Sequence, residues 1–260
     1  MEKFRMVDVH SHMYSEEFSK DLDDVMERAR NKGIIAIVNS GLGPDGIKKS
    51  IEICDKFKGY MFNSFGIEPY RFDKEEIEET IDLIENNRSN IVGVGEVGLD
   101  YYWVKDHSLR EIMAENFRRF IEISIDLKKP LIIHSRSAGK YALEILIEMD
   151  AEKVLMHAFD GSRKWVKLGV SHGYMFSVPT SVVFSRQKQK MVKVLPLENM
   201  MLESDAPALS PIPNKRNEPS FIEHSIKKIS EIKGMSEEKI ADVTTENALS
   251  FFKIKPKSSL

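Results

Sequence analysis

The chain has 260 residues, of which 42% are hydrophobic and 30% charged. That profile excludes a disulfide scaffold, a collagen-like repeat and a disordered chain, and it suits one large α/β barrel or two ordinary domains. Lys and Arg number 38 against 41 Asp and Glu, a formal net charge of −3, so the protein does not hold a polyanion by bulk positive charge. Any nucleic-acid contact must be local.

The N-terminal run Met1 to Asp8 has no apolar signal region, and charges interrupt every apolar stretch well before the roughly 18 residues a membrane span needs. Cys54 stands alone and reads as an inert core thiol, in keeping with a reducing cytoplasm. Short β-branched or apolar runs then alternate with stretches of helical period. The runs predict strands at residues 5–9, 34–39, 61–65, 91–95, 131–133, 154–156, 174–177 and 200–202. Between them helices are expected at 21–31, 45–57, 74–86, 109–127, 138–149, 163–170 and 185–195, with a closing pair at 222–232 and 236–251. Gly33 and Pro130 punctuate the approach to two strands, and Ser236 followed by Glu237 and Glu238 makes an N-cap with early negative charge. Eight βα units in about 250 residues is the rhythm of a (β/α)8 TIM barrel; a doubly wound open sheet is the alternative that periodicity leaves standing. No linker divides the chain, which reads as one domain over residues 1–252 and a frayed tail over 253–260.

Four of the seven histidines, His10, His12, His134 and His157, fall just past expected strand ends. In a barrel those ends open on one face, so residues distant in sequence converge there. His10 and His12 are two apart in an extended segment and turn the same way. Glu96 ends the fourth strand and Asp205 follows the eighth, adding carboxylates to the same mouth. Such a set suits one or two divalent ions of the zinc, manganese or magnesium type. A lone histidine at a strand end is more often a hydrogen-bonded structural residue; six ligand-type residues at one end of five strands are hard to assign to chance. His107, His172 and His224 are expected on the surface. Asp8 and Glu203 share the parity of His10 and Asp205 and are candidates to orient them.

The segments Val7-Asp8-Val9-His10-Ser11-His12, Val94-Gly95-Glu96-Val97-Gly98-Leu99-Asp100-Tyr101, Pro130 to Arg136, His157-Ala158-Phe159-Asp160-Gly161, Leu202-Glu203-Ser204-Asp205-Ala206-Pro207 and Arg216-Asn217-Glu218-Pro219 occur in this order along nearly the whole chain. In these motifs it resembles the TatD family of metal-dependent hydrolases. The resemblance implies an amidohydrolase-superfamily barrel and hydrolysis of DNA phosphodiesters. It also implies that His10, His12, Glu96, His134, His157 and Asp205 hold metal, with Glu96 bridging two ions. One motif departs: where the family reads Gly-x-His-Pro-His, this chain has Gly66-Ile67-Glu68-Pro69-Tyr70, a carboxylate in place of an imidazole near the substrate.

Two divalent ions against Glu96 and Asp205 leave a formal site charge near +2, and an ionised Glu68 lowers it to +1, so the metals rather than the surface attract phosphate. Asp205 is the expected catalytic group, positioning a metal-activated water and accepting its proton. Arg136 and Arg216 lie inside matched motifs and are the better phosphate candidates, Arg offering two parallel donors; Lys140, Lys164 and Lys215 read as solvated charges. The loop residues Tyr101, Tyr102 and Trp103 either pack against the barrel or stack on bases. The leading function is therefore a deoxyribonuclease-type phosphodiesterase. Its alternatives are a superfamily hydrolase of small esters, amides or lactones, and a metal-binding scaffold that has lost catalysis through Glu68. A cytoplasmic location and a DNA or other phosphodiester substrate are expected; metal identity and oligomeric state are left open.

Overall fold

A computed structural model describes residues 4–257. Eight parallel strands pair in chain order: β1 (Met6–Ser11), β2 (Ile34–Leu42), β3 (Met61–Gly66), β4 (Ile91–Gly98), β5 (Leu131–His134), β6 (Val154–Met156), β7 (Met175–Pro179) and β8 (Met200–Glu203). Helices α1 (Leu22–Asn31), α2 (Gly43–Lys56), α3 (Lys74–Asn86), α4 (His107–Leu127), α5 (Gly139–Glu148), α6 (Arg163–Ser171) and α7 (Arg186–Val194) separate successive strands, and α8 (Ile222–Lys233) and α9 (Glu237–Phe252) follow β8. This is a TIM barrel, not an open sheet. The seam between β8 and β1 is closed at its upper end, where Asp205 N donates to His10 O at 2.9 Å and His12 N donates to Ala206 O at 2.7 Å.

Two apolar clusters show the layering. One holds Val7, Val9, Ala36, Val38, Ile132, Leu155 and Met201 from five strands, together with Ala248, Phe252 and Ile254. Residues from strands that are not neighbours meet this way only in the lumen, and the end of α9 plugs its lower opening. The other, larger cluster takes the alternate strand residues, such as Ile37, Ile133, Met156 and Leu202, and packs them under the helices. Caps set the helix starts: Asp73 accepts from Glu76 N, Asp106 from Ser108 N and Leu109 N, and Ser236 from Lys239 N.

Several strands run further toward the mouth than their sequence predicts. β2 continues through Ser40, Gly41 and Leu42, and β4 through Glu96, Val97 and Gly98, because pairing with neighbouring strands overrides the weak strand propensity of Gly and Ser. The expected tail at 253–260 also needs correction. Ile254 is buried in the lumen cluster and Lys257 N donates to Gly59 O at 3.0 Å, so the chain stays docked to Lys257; residues 258–260 lie outside the described residues. Cys54 is buried in α2, and burial pushes its thiol up to about 12, consistent with an inert role. No helix among the described residues is long and apolar enough to cross a membrane.

Candidate metal centre

Glu96 reaches the centre of the mouth because glycines flank it. Gly95 (φ +139°) and Gly98 (φ +144°) occupy backbone regions that L side chains rarely adopt, and a Cβ on Gly98 would lie 2.1 Å from His134 O. The bare backbone lets β4 press against β5 and turns the Glu96 carboxylate inward. Around it, Oε2 lies 2.7 Å from His10 Nε2, 3.6 Å from His12 Nε2 and 3.8 Å from His157 Nε2, while Oε1 lies 3.0 Å from His134 Nδ1. Asp205 Oδ1 stands 3.6 Å from His10 Nε2 and 3.7 Å from His12 Nε2. All six sequence-selected groups are therefore brought together.

The second nitrogen of each imidazole is tied elsewhere, which fixes ring orientation. His10 Nδ1 meets Ser40 Oγ at 3.0 Å, His12 Nδ1 meets Ser40 O at 3.0 Å, His157 Nδ1 meets Glu203 Oε2 at 2.8 Å, and His134 turns its Nε2 to Asp100 Oδ2 at 3.0 Å. What remains free on every ring points at Glu96. The resulting crowd is unfavourable without a cation: His10 and His12 set Nε2 against Nε2 at 3.1 Å, and buried Glu96 Oε2 has no well-aligned hydrogen-bond donor despite the short approach of His10. Three ligand triads have donor atoms within 4.8 Å of one another: His10-His12-Glu96, His10-His157-Asp205 and Glu96-His134-His157. Imidazole nitrogens and carboxylate oxygens in this arrangement fit divalent metal.

Electrostatics carry the same signature. Burial drives the His10 imidazole down to about 4, the neutral form that ligation needs. Burial likewise opposes charge on His134 and His157, yet Asp100 with Glu96 raises the first to about 9, and Glu203 with Asp205 raises the second to about 10. Burial also opposes ionisation of Glu96, but the His10, His12 and His134 imidazoles crowded around it hold its carboxyl well below the ordinary range. Burial lifts Asp205 to about 6. The carboxylates of Glu96, Asp100, Glu203 and Asp205 thus favour positive charge in the pocket. His10 is wholly buried, whereas His12, His134 and Asp205 retain 17, 18 and 14% of side-chain exposure and form the accessible side.

The other sequence candidates divide. Glu203 grips His157 and the backbone after it, accepting from Ala158 N at 2.9 Å and Ser177 Oγ at 2.7 Å. Asp8 does not share the inward direction of His10. A register shift between Asp8 and Ser11 breaks the period of two, and Asp8 accepts from Ser204 Oγ at 2.5 Å, Ser204 N at 2.9 Å and the His10 backbone N at 3.3 Å, so it braces the seam and supports His10 through the main chain. Arg216 is also turned away: its guanidinium pairs with Asp21 at 2.7 and 2.9 Å and lies over Phe18, so it ties the loop after β8 to α1 and does not join the cluster. Arg136 is exposed, two residues beyond His134, with its guanidinium 3.8 Å from the Tyr102 ring centre. Glu68 is half-buried after β3; its charge helps burial to raise the Tyr14 and Tyr70 phenols. His107 and His172 are exposed, while His224 is half-buried against Phe221.

Three supporting residues escape a reading of strand-end ligands. Ser40 contacts two imidazoles. Asp100 reaches His134, and only its place in the Glu96 motif hints at that. Lys188 on α7 is a buried amine, lowered by burial, that donates to Ala158 O at 2.5 Å and Phe159 O at 2.8 Å and pins the turn after His157. That turn and the one carrying Asp205 are strained, with Ala158 at φ +36° and Asp205 at φ +59°.

A family model described as TatD related DNase matches residues 7–253. The human protein named deoxyribonuclease TATDN3 is 36% identical over 258 residues, covering 95% of this chain and 94% of that protein. A Methanocaldococcus jannaschii protein named as an uncharacterized metal-dependent hydrolase is 32% identical over 253 residues, covering 97 and 99%. Among solved structures, a TatD homolog from Escherichia coli superposes with a TM-score of 0.88 at 21% identity, covering 96% of this chain and 99% of that one. Matched along the barrel from its first strand through its last helix, the chain belongs to the TatD-related DNase family.

Proposed function

We propose that the protein is a metal-dependent phosphodiesterase of the deoxyribonuclease type, acting as one barrel domain. The observation that carries this reading is the convergence of four imidazoles and Asp205 on Glu96, whose two carboxylate oxygens face different ligand groups. His10, His12, Glu96, His134, His157 and Asp205 would hold two divalent ions, with zinc, manganese and magnesium as the candidates. Bound there, such ions would supply Lewis acidity, lowering the pKa of water to about 7 and offsetting charge on the phosphoryl oxygens.

The chain's own residues do the rest. Asp205 faces the open side and is held by its backbone hydrogen bond to His10 O, a placement suited to orient the attacking water and take its proton. Ser40, Asp100 and Glu203 keep the rings aimed, so the geometry is set before substrate arrives. Arg136 is the mouth cation available to a phosphate, because Arg216 is engaged by Asp21. Glu68 sets a carboxylate at the rim, which repels phosphate unless metal or a proton neutralises it. The named relatives, a deoxyribonuclease and metal-dependent hydrolases, support the same reading.

The test is cleavage of defined-end oligonucleotides after chelation and re-addition of each metal, beside ester and lactone panels. Metal-restored oligonucleotide cleavage is expected, with Asp205→Asn reducing kcat by at least about 100-fold while the far-UV spectrum is unchanged. Exclusive turnover of lactones or esters would overturn the assignment. Glu68→His measured in parallel shows how the carboxylate tunes phosphate affinity, a gain in kcat/KM being the expected direction.

A further inference from the structure

Among the described residues every exposed Phe, Tyr or Trp lies beyond the mouth end of a strand: Tyr70 after β3, Tyr102 and Trp103 after β4, Tyr141 in the first turn of α5, and Phe184 after β7. Trp103 is the extreme, 63% exposed. Exposed aromatic surface collected on the face that carries the candidate metal centre, and on no other among the described residues, is the arrangement expected where bases stack. Tyr70, Phe72, Trp103, Lys105 and Leu109 line one cleft of about 480 Å³ between the loops after β3 and β4, a size typical of small-ligand sites.

The loop that presents Trp103 is rigidly held. Asp100 Oδ1 accepts from Tyr102 N and Trp103 N, both at 2.9 Å, while Oδ2 of the same carboxylate meets His134 at 3.0 Å. Tyr101 N donates to Arg136 O at 3.0 Å, and Arg110 Nε to Val104 O at 2.9 Å. One side chain therefore joins the cluster to the aromatic loop, and the backbone that carries the indole is held relative to the cluster before binding. Positive charge accompanies it. The Arg136 guanidinium stands 3.8 Å from the Tyr102 ring centre and 5.7 Å from that of Trp103, and Lys105 Nζ is 5.4 Å from Tyr102. Asp106 also lines the cleft, but its carboxylate is spent capping α4.

We infer that this cleft is a nucleobase subsite: an unpaired base at the end of a polynucleotide stacks on Trp103 opposite Tyr70, with Arg136 and Lys105 on its flanking phosphates. The inference rests on the phosphodiesterase reading and deepens it by naming the substrate as a single strand or a frayed end. In the interior of a duplex both faces of each base are covered by neighbours, leaving none for the indole.

Trp103 and Trp165 are the two tryptophans of the chain, so Trp165→Phe leaves Trp103 as the sole indole reporter. In that background, with Asp205→Asn to prevent turnover and manganese present, a thymidine octanucleotide should quench Trp103 emission, and the same sugar-phosphate chain without bases should not. In the active enzyme Trp103→Ala should raise KM for the octanucleotide roughly 5- to 150-fold with kcat nearly unchanged, Trp103→Phe should recover most of the loss, and an abasic-ended strand should be insensitive to either. Cleavage with unquenched Trp103 and an unaltered KM in Trp103→Ala sinks the subsite while leaving the phosphodiesterase intact. Base-dependent quenching in a protein that cleaves no polynucleotide keeps the subsite and overturns the phosphodiesterase.

Discussion

Each imidazole of the centre depends on a partner that does not itself bind metal, and Glu203 is the most consequential of these. It is wholly buried and serves His157 Nδ1, Ala158 N and Ser177 Oγ at once. Glu203→Gln keeps the volume but removes the charge that supports the ring, so metal affinity should fall about 10- to 100-fold. A competitive metal titration reads this directly; unchanged affinity would show that His157 is held by packing alone. The sequence made the six ligand-type residues legible because imidazoles and carboxylates at strand ends are conspicuous. Ser40 and Asp100 were not, since a serine or a loop aspartate acquires its partner only when β2 meets β1 or the β4 loop meets β5. Arg216 shows the converse limit: it sits in a matched motif, yet its partner Asp21 is 195 residues away in sequence, and no local pattern reveals that pair. Asp8 reaches His10 through the main-chain N–H and not through the ring, a contact that side-chain parity does not reveal.

Among the elements, β4 is the one whose geometry the site needs most. Its passage beside β5 requires Gly98, where both φ and space exclude a side chain. Gly98→Ala combines a strained backbone with a contact that must shift His134, and destabilisation of about 2–5 kcal/mol is expected in urea unfolding. Because His134 moves with the β5 backbone, metal binding should weaken even in whatever fraction folds. The same glycines explain why strand bounds read from sequence fell short. Gly95 and Gly98 lower local β propensity, so the run seems to stop at 95, whereas pairing of Val97 with Ile133 and Gly98 with His134 carries it onward. Element order and number were readable, because eight apolar runs spaced by helical periods leave few arrangements. The ends were set by contacts made across the barrel.

At the scale of the whole molecule, the loop between β8 and α8 is fastened to α1 by ion pairs. Arg28 donates to Glu218 at 2.7 Å and Arg216 to Asp21 at 2.7 Å. Burial opposes ionisation of Glu218, but hydrogen bonds from Arg28 and Ser220 lower its pKa below the usual carboxylate value. A carboxylate depressed on folding adds stability that is complete above its unfolded pKa, about 4.3, and is lost as pH falls through the lower folded value. Glu218→Gln should therefore be destabilising by about 1–3 kcal/mol at pH 7, with the difference from the parent shrinking below about pH 4 in denaturant titrations. An equal difference at both pH values would assign the effect to the Ser220 contact and to packing. The composition excluded a broad electrostatic DNA binder; the fold shows how a chain of net charge −3 still collects exposed aromatics and Arg136 on one face.

The seam between β8 and β1 is latched by the residues that carry the site: His10 and His12 on one side, Asp205 and Ala206 on the other. An ion held by both His10 and Asp205 would staple the first strand to the segment after the last, reinforcing the two hydrogen bonds that close the seam. Saturating metal should raise unfolding stability by about 2.7 kcal/mol for each ion bound at 100 times its Kd. The added protection from amide hydrogen exchange should concentrate at His12 and Asp205, the two donors of the latch. Protection spread evenly over the barrel would mean that the ions fill a mouth already shut. Protection centred on the latch would make them the final turn of the lock, with the apo protein opening along one defined line.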